Sequence, residues 1–260
     1  MTRCVTTAAC VTICLFFLFG AVSVRAAVLR PALLGLTDTD GDGLPDEWET
    51  KVLHTDPLKQ DTDGDKIDDW TEVWNGYNPH GKGKLAPGDF DGDGLNDQLE
   101  LRFGTDLTKP DTDLDGHGDG EEVGAGFSPT STSRAALEKK IVVHLKTQRI
   151  DQDLGGVVMA TYVVSSGKPS TPTPVGTFTI LSKNKRAWSN MAGLWMPWWM
   201  QFTKQGAGLH ELPEWPGGHK EGAAHLGTPV SHGCVRLGIG PAKALYDWAP
   251  IGSKVIVQRQ

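Results

Sequence analysis

Cysteine is almost missing from this chain where it could staple a fold. Of its four cysteines, Cys4, Cys10 and Cys14 lie in an apolar leader, so Cys234 stands alone in the rest. A disulfide framework is therefore excluded, and stability has to come from a core and from metal. A basic surplus is missing too. The formal net charge is −7, and no basic patch with interleaved aromatics occurs, so nucleic acid is not an expected partner. Long apolar runs are confined to the leader. Arg3, the run from Ala8 to Val24 and the small residues near Ala26 and Ala27 have the order of an export signal over residues 1–26. Uncleaved, its roughly 17 apolar residues would be long enough to anchor in a bilayer. No later segment is long and apolar enough to span one. The expected location is outside the cytoplasm, in the periplasm or cell envelope, with no membrane partner after cleavage.

The charge is unevenly spread. Residues 38–122 hold 25 of the 32 acidic residues and 7 of the 25 basic ones. The remainder is net positive, so two differently built regions follow, and the positive half suits an anionic cell-wall polymer. Four acidic segments share one 12-residue pattern, with carboxylates at positions 1, 3, 5, 9 and 12. They are Asp38, Asp40, Asp42, Asp46 and Glu49; Asp61, Asp63, Asp65, Asp69 and Glu72; Asp89, Asp91, Asp93, Asp97 and Glu100; and Asp111, Asp113, Asp115, Asp119 and Glu122. Position 6 is Gly43, Gly94 and Gly116 in three of them and Lys66 in the second, the weakest match. This is the ligand order of an EF-hand calcium loop, with hard oxygen donors, a turn glycine and a closing glutamate. Five carboxylates in twelve residues repel one another unless a divalent cation sits among them. Few apolar residues accompany them, so bound Ca2+ is the expected source of folding energy. The prolines Pro31, Pro57, Pro87 and Pro110 argue against long entering helices. Short exit helices are expected at 46–53, 68–74 and 97–103, with Trp48, Trp70 and Trp74 packed on them. The array resembles the calcium repeats of thrombospondin type 3 modules, and secondarily dockerin loops. Residues 27–37 read as one linker and 123–138, rich in Gly, Ser and Thr from Gly124, as another.

From Lys140 the texture changes to β-type runs: 141–145, 157–164, 176–181, 195–202 and 254–257. Only Pro241 to Trp248 reads clearly as a helix. A mainly β domain over 139–260, sandwich or barrel-like with one short helix, is expected. Ser231-His-Gly-Cys234 places an imidazole two residues before the lone thiol, which favours a reactive cysteine over an inert one. A zinc site built from His210, His219, His225, His232 and Cys234 is the weaker alternative, since its spacings match no metal signature. Trp188, Trp195, Trp198, Trp199 and Trp215 are divided between core and cleft wall.

Four segments then carry a resemblance to L,D-transpeptidase catalytic domains, which covers roughly 139–260. Ser165-Ser-Gly-Lys-Pro-Ser-Thr-Pro-Thr-Pro-Val-Gly-Thr-Phe178 is similar to the family's opening segment. Gly208-Leu-His-Glu211 and Gly227-Thr-Pro-Val-Ser-His-Gly-Cys-Val-Arg-Leu237 resemble its two active-site segments, and Tyr246 to Val257 its closing helix and strand. About 20 residues separate His210 from Ser231, a little more than usual, which suggests an insertion at 214–224 reshaping the entrance. The resemblance implies Cys234 as nucleophile and His232 as general base, then acid. It implies His210 in the same pocket, Ser231 orienting the neighbouring imidazole, and the Gly233 and Cys234 amides as oxyanion donors. Arg236 is expected to fork a substrate carboxylate. The implied partner is peptidoglycan: an acyl-enzyme forms on a stem peptide and passes to an amine, giving a 3→3 cross-link, or to water, as an L,D-carboxypeptidase, with no cofactor for catalysis. The alternative is a non-catalytic, calcium-dependent wall-binding module. With a separate core, residues 139–260 are expected to fold and react independently of calcium.

Overall fold

From Lys139 the chain lays down nine strands: β1 (Lys139–His144), β2 (Arg149–Leu154), β3 (Val157–Ser165), β4 (Gly176–Thr179), β5 (Ser182–Ser189), β6 (Leu194–Gln201), β7 (Gly208–Glu211), β8 (Val235–Leu237) and β9 (Lys254–Gln258). In this computed structural model, which describes residues 34–260, they form one sheet in the order β4-β9-β1-β2-β3-β8-β7-β6-β5. The export signal and most of the first linker lie outside the described residues. The domain is mainly β, as expected. The closing strand β9 inserts between β4 and β1, parallel to β1, so the end of the chain completes the sheet's other half.

Alternation explains which face is buried. Ile141, Val143, Ile150, Val164, Val235, Leu237, Val255 and Val257 point to one side and are essentially inaccessible. Helix α5 (Pro241–Trp248) covers them with Ala242 and Leu245; Pro241 starts it at a position where the missing amide costs nothing. Its contacts with β6, β7 and β8 place it directly behind the strands that carry the site.

In the acidic half, each loop runs into a short helix at its ninth position. These are α1 (Asp46–Trp48, continued by a π-helical turn, Glu49–Leu53), α2 (Asp69–Trp74), α3 (Asp97–Phe103) and α4 (Asp119–Ala125). Asp68 and Asn96 cap α2 and α3 by accepting from the Thr71 and Leu99 amides. The tryptophans do pack on these helices. Trp48, Trp70 and Val73 meet Leu44, Leu53, Leu101 and Leu107, and Trp70 stacks on Trp74 at 5.4 Å. Trp48 Nε1 donates to buried Asp106 at 3.0 Å, tying the first repeat to the third.

One expectation needs correction here. The 123–138 segment is not a loose linker. It begins inside α4, pairs Phe127 with Ala136, and is hydrogen-bonded back through Leu137 to Gly126. Each half has its own core, but the two also touch. Leu95 and Val123 of the acidic array share a buried cluster with Leu154 of β2, flanked by Leu99, Phe103, Leu137, Met159 and Trp248. The array thus keeps its own small core around Trp48 and Trp70 and adds a second apolar contact on the β domain.

Candidate active site

The turn before β8 presents the thiol. Gly233 has φ 113°, a conformation that penalises any side chain, and this turns Cys234 into the cleft. Ser231 is buried beneath it. Its Oγ donates to the Cys234 carbonyl at 2.5 Å and accepts from the Gly233 amide at 3.1 Å. Ser231 thus braces the nucleophile turn rather than orienting an imidazole. The Gly233 amide is already spent on that brace, which leaves the Cys234 amide of the expected oxyanion pair.

β7 runs parallel to β8 with His210 opposite Arg236 and Leu209 opposite Val235. Because alternate residues share a face, Cys234, Arg236 and His210 all turn away from the core and into one cleft of about 250 Å³. His210 is 2% exposed and leans on the Trp199 indole, ring centroids 5.9 Å apart. Its Nδ1 donates to the Glu211 carbonyl at 2.5 Å, which fixes the proton there and leaves Nε2 as the open lone pair. Burial pushes this imidazole down to about 4; the Glu211 hydrogen bond opposes that shift and the Arg236 charge adds to it. Burial also raises the Cys234 thiol, against a lowering hydrogen bond from the Gly208 amide and the Arg236 charge. Both shifts favour the neutral forms of the thiol and the imidazole that line this cleft.

His232 sits differently. It lines the cleft but is exposed, and its Nε2 lies 3.3 Å from Lys168 Nζ. A lysine ammonium can only donate, so the ring nitrogen accepts from Lys168. Arg236 already carries a counter-ion: its Nη1 lies 3.0 and 2.9 Å from the two carboxylate oxygens of Glu221. Glu221 belongs to the insertion, whose hairpin is held by Arg186–Glu214 at 2.6 Å, Lys220–Glu211 at 2.7 Å and a Trp195–Glu214 backbone pair. His219 stacks on Trp215 in that hairpin and His225 meets Glu221 at 2.9 Å, so neither joins the thiol. Sequence reasoning missed the Glu211 carbonyl, Glu221 and Lys168. Each lay in a segment already singled out, Lys168 in the opening segment, Glu211 beside His210 and Glu221 in the insertion, but no local pattern announced their contacts.

The cleft wall is mostly apolar, with Pro172, Met191, Leu194, Met196 and Pro213 around the thiol. Trp198 makes this possible. It holds φ 54° in the middle of β6, where a large side chain pays strain. The local twist ends the alternation, so Leu194 and Met196 face the cleft while Trp198 packs toward Tyr246 at 5.4 Å. Trp188 and Trp215 stay largely exposed.

The acidic loops form a second set of candidate sites. In each, carboxylate oxygens from positions 1, 3 and 5 approach within 4.8 Å of one another. The first carboxylate accepts two amides of its own loop, as Asp38 does from Gly41 at 2.8 Å and Gly43 at 3.1 Å. Position 6 needs a left-handed backbone throughout, and Lys66 takes it at φ 81° where the other loops use glycine. Position 12 is buried in all four loops. Glu49, Glu72, Glu100 and Glu122 each keep at least one carboxylate oxygen without any partner, as do Asp40, Asp91 and Asp113 at position 3. Burial first, then mutual repulsion, raises Glu49 to about 8, Glu72 to about 7, Glu100 to about 9 and Glu122 to about 7. Orphaned buried oxygens aimed into an acidic loop fit a hard cation bound by positions 1, 3, 5 and 12. Position 9 is engaged within its own loop. Both oxygens of Asp46, Asp69 and Asp119 accept from the amide and hydroxyl of Thr39, Thr62 and Thr112, and Asp97 accepts from the Phe90 amide through one oxygen. These contacts brace the loops. The loops also pair: Asp42 accepts from the Trp70 amide at 3.2 Å and Asp93 from the Gly120 amide at 2.7 Å.

Comparison with known proteins agrees with this division. Residues 138–257 match the L,D-transpeptidase catalytic domain, and residues 38–60 and 89–110 match the bacterial TSP3 repeat. YkuD of Bacillus subtilis is 29% identical over 119 residues, covering 46% of this chain and 65% of YkuD. YciB of Bacillus subtilis is 32% identical over 125 residues, covering 45% of this chain and 64% of YciB. In both cases the chain spans less than two thirds of the relative. An L,D-transpeptidase from Mycobacterium smegmatis is similar in structure, with 26% identity, TM-score 0.42, and coverage of 48% of this chain and 60% of that one. Residues 138–257 are thus similar to the L,D-transpeptidase catalytic domain, and two segments of the acidic array to the bacterial TSP3 repeat.

Proposed function

We propose that this protein is an exported cysteine L,D-transpeptidase that acts on peptidoglycan stem peptides, and that His210 is its general base. One observation carries the reading: an anchored, neutral His210 shares a cleft with the only thiol of the described residues. His210 Nε2 takes the Cys234 proton as Sγ attacks the carbonyl of the third stem residue. The tetrahedral oxyanion lies against the Cys234 amide. Collapse breaks the C–N bond, and the departing D-alanine amine takes the proton back from His210, leaving a thioester. An acceptor amine or water then attacks that carbonyl, His210 again removing the proton, and the thiol is restored. The apolar walls limit water at the thioester, which favours an amine. Incubation with a tetrapeptide muropeptide should release D-alanine and give a 3→3 cross-linked dimer. Release of neither product would remove the reading.

The pH dependence separates the candidate bases. His210 is protonated, and so inactive as a base, only below about pH 4. The acid limb of kcat/KM should therefore fall near pH 4. A limb near 6.5, the ordinary imidazole value, would assign the base elsewhere.

We also propose that the loops hold Ca2+. Asp38, Asp40, Asp42 and Glu49 would form one site, with the equivalent residues of the other three loops forming the rest. Bound there, the cation would neutralise the buried carboxylates and lock the repeats. Because Leu95 and Val123 cover Leu154, the array would also steady the β domain. Chelation should expose 38–122 to protease and lower the melting temperature of the β domain by several degrees, leaving its own core folded. Melting unchanged by chelator, with unchanged proteolysis, would remove calcium from the account. The alternative of a purely wall-binding module is disfavoured by the complete thiol–imidazole pair.

A further inference from the structure

The cleft contains one strong cation, and that cation is already matched. Arg236 is 13% exposed and Glu221 11%, and their contact places both carboxylate oxygens on Nη1. Glu221, which the insertion hairpin holds through its ion pairs to β5 and β7, occupies Nη1 and matches the guanidinium charge, so a substrate carboxylate approaching Arg236 meets a second carboxylate. Stripping one partner from such a half-buried pair is costly. Recognition of a substrate anion must therefore come from elsewhere in the cleft.

Lys168 is the available group. Its Nζ stands 3.3 Å from His232 Nε2 at the cleft mouth, and among the described residues no carboxylate lies within 4 Å of it. Its backbone is built into the nucleophile turn. The Lys168 amide donates to the Ser231 carbonyl at 3.0 Å, Gly167 pairs with Ser231, and Thr171 Oγ1 also donates to that carbonyl, at 3.2 Å. Moving the Lys168 backbone would mean moving the turn that holds Cys234, so the root of its side chain is fixed relative to the thiol and the contact with His232 Nε2 places its ammonium. With Nε2 accepting from Lys168, the His232 ring carries its proton on Nδ1. With one hydrogen given to Nε2, the ammonium keeps its remaining hydrogens for a carboxylate, a charge-assisted contact that His232 steadies from one side.

We infer that Lys168, steadied by His232, forms the carboxylate subsite of the cleft, and that Glu221 matches the charge of Arg236 and disfavours a substrate anion there. The ligand is the free α-carboxylate of the residue that departs when Cys234 attacks, since that carboxylate sits one residue, about 3.8 Å in Cα spacing, beyond the scissile bond. This inference rests on the transpeptidase reading for its substrate, but not for its site.

Two measurements keep the two apart. The first needs no turnover: alkylation of Cys234 by iodoacetate, an anion, against iodoacetamide, its neutral counterpart. Lys168→Met should lower the iodoacetate to iodoacetamide rate ratio several-fold, and Lys168→Arg should restore it. Glu221→Gln should raise the ratio, because Arg236 is then unmatched. The second uses paired donors ending in a carboxylate or a carboxamide. Lys168→Met should reduce kcat/KM for the carboxylate donor by roughly 10–100-fold, mainly through KM, and leave the carboxamide donor unchanged. A ratio unaffected by Lys168→Met, or an equal loss for both donors, overturns the subsite. Wild-type protein that alkylates as expected but turns over neither donor overturns the transpeptidase reading and leaves the subsite standing.

Discussion

Cys234→Ala is expected to bring turnover of a stem-peptide donor below detection, with the fold intact. The thiol is the group that carries the acyl chain between donor and acceptor, so nothing else in the cleft can replace it. The substitution removes one sulfur at a partly exposed position, while the brace beneath it uses Ser231 Oγ and the Cys234 backbone carbonyl, both retained in the variant. Circular dichroism and melting should match wild type. Cys234→Ser should be similarly inactive, since the buried imidazole is too weak a base to activate an alcohol. Residual turnover in Cys234→Ala above a percent of wild type would mean that the cleft performs some other chemistry.

The second large effect distinguishes two histidines that the sequence ranks the other way round. His210→Ala should cost on the order of 10²–10⁴-fold in kcat/KM, the range of a lost general base. His232→Ala should cost far less, and mainly in KM, because that ring is exposed and turned to Lys168. His210→Ala also removes a ring packed on Trp199, so its melting temperature has to be measured beside its rate. His210→Gln, which keeps much of the volume, guards against a loss caused by packing alone. The larger loss on His232→Ala would return the base to the residue beside the cysteine.

Why the sequence ranks them so is instructive. Adjacency in the chain favours His232, two residues from Cys234. The parallel pairing of β7 with β8 brings His210 to the same face from 24 positions away, and no local pattern announces a parallel register. Glu221 and Arg236 are likewise joined only when the insertion folds back across β7. Repeated local chemistry was far more legible. The four acidic loops have the expected spacing, and their exit helices start at the ninth position, because loop geometry is set by carboxylates and turn residues within twelve positions. The threonine contacts of the ninth carboxylates were not legible, because pattern alone cannot say which neighbour an oxygen faces.

The same contrast holds among the strands. Runs such as Ile141 to His144 and Lys254 to Val257 alternate cleanly and stand out. β2 reads Arg-Ile-Asp-Gln-Asp-Leu and β5 Ser-Lys-Asn-Lys-Arg-Ala-Trp-Ser, too polar to announce strands. β5 can be so polar because it lies at the sheet edge, paired only with β6. β2 is fixed instead by neighbours on both sides and by the array covering Leu154. The docking of the two halves had no signal of its own, since Leu95, Val123 and Leu154 belong to three segments that each look self-contained.

The central claim is a covalent one, that Cys234 carries the acyl group of a stem peptide and His210 makes that possible. Intact-protein mass spectrometry after rapid mixing with a tetrapeptide donor tests it most directly. The account predicts a transient adduct equal to the donor less its terminal D-alanine, mapped by peptide digestion to Cys234, absent in Cys234→Ala and strongly slowed in His210→Ala. Turnover of donor with no adduct on Cys234, or an adduct that forms at the wild-type rate in His210→Ala, would contradict it.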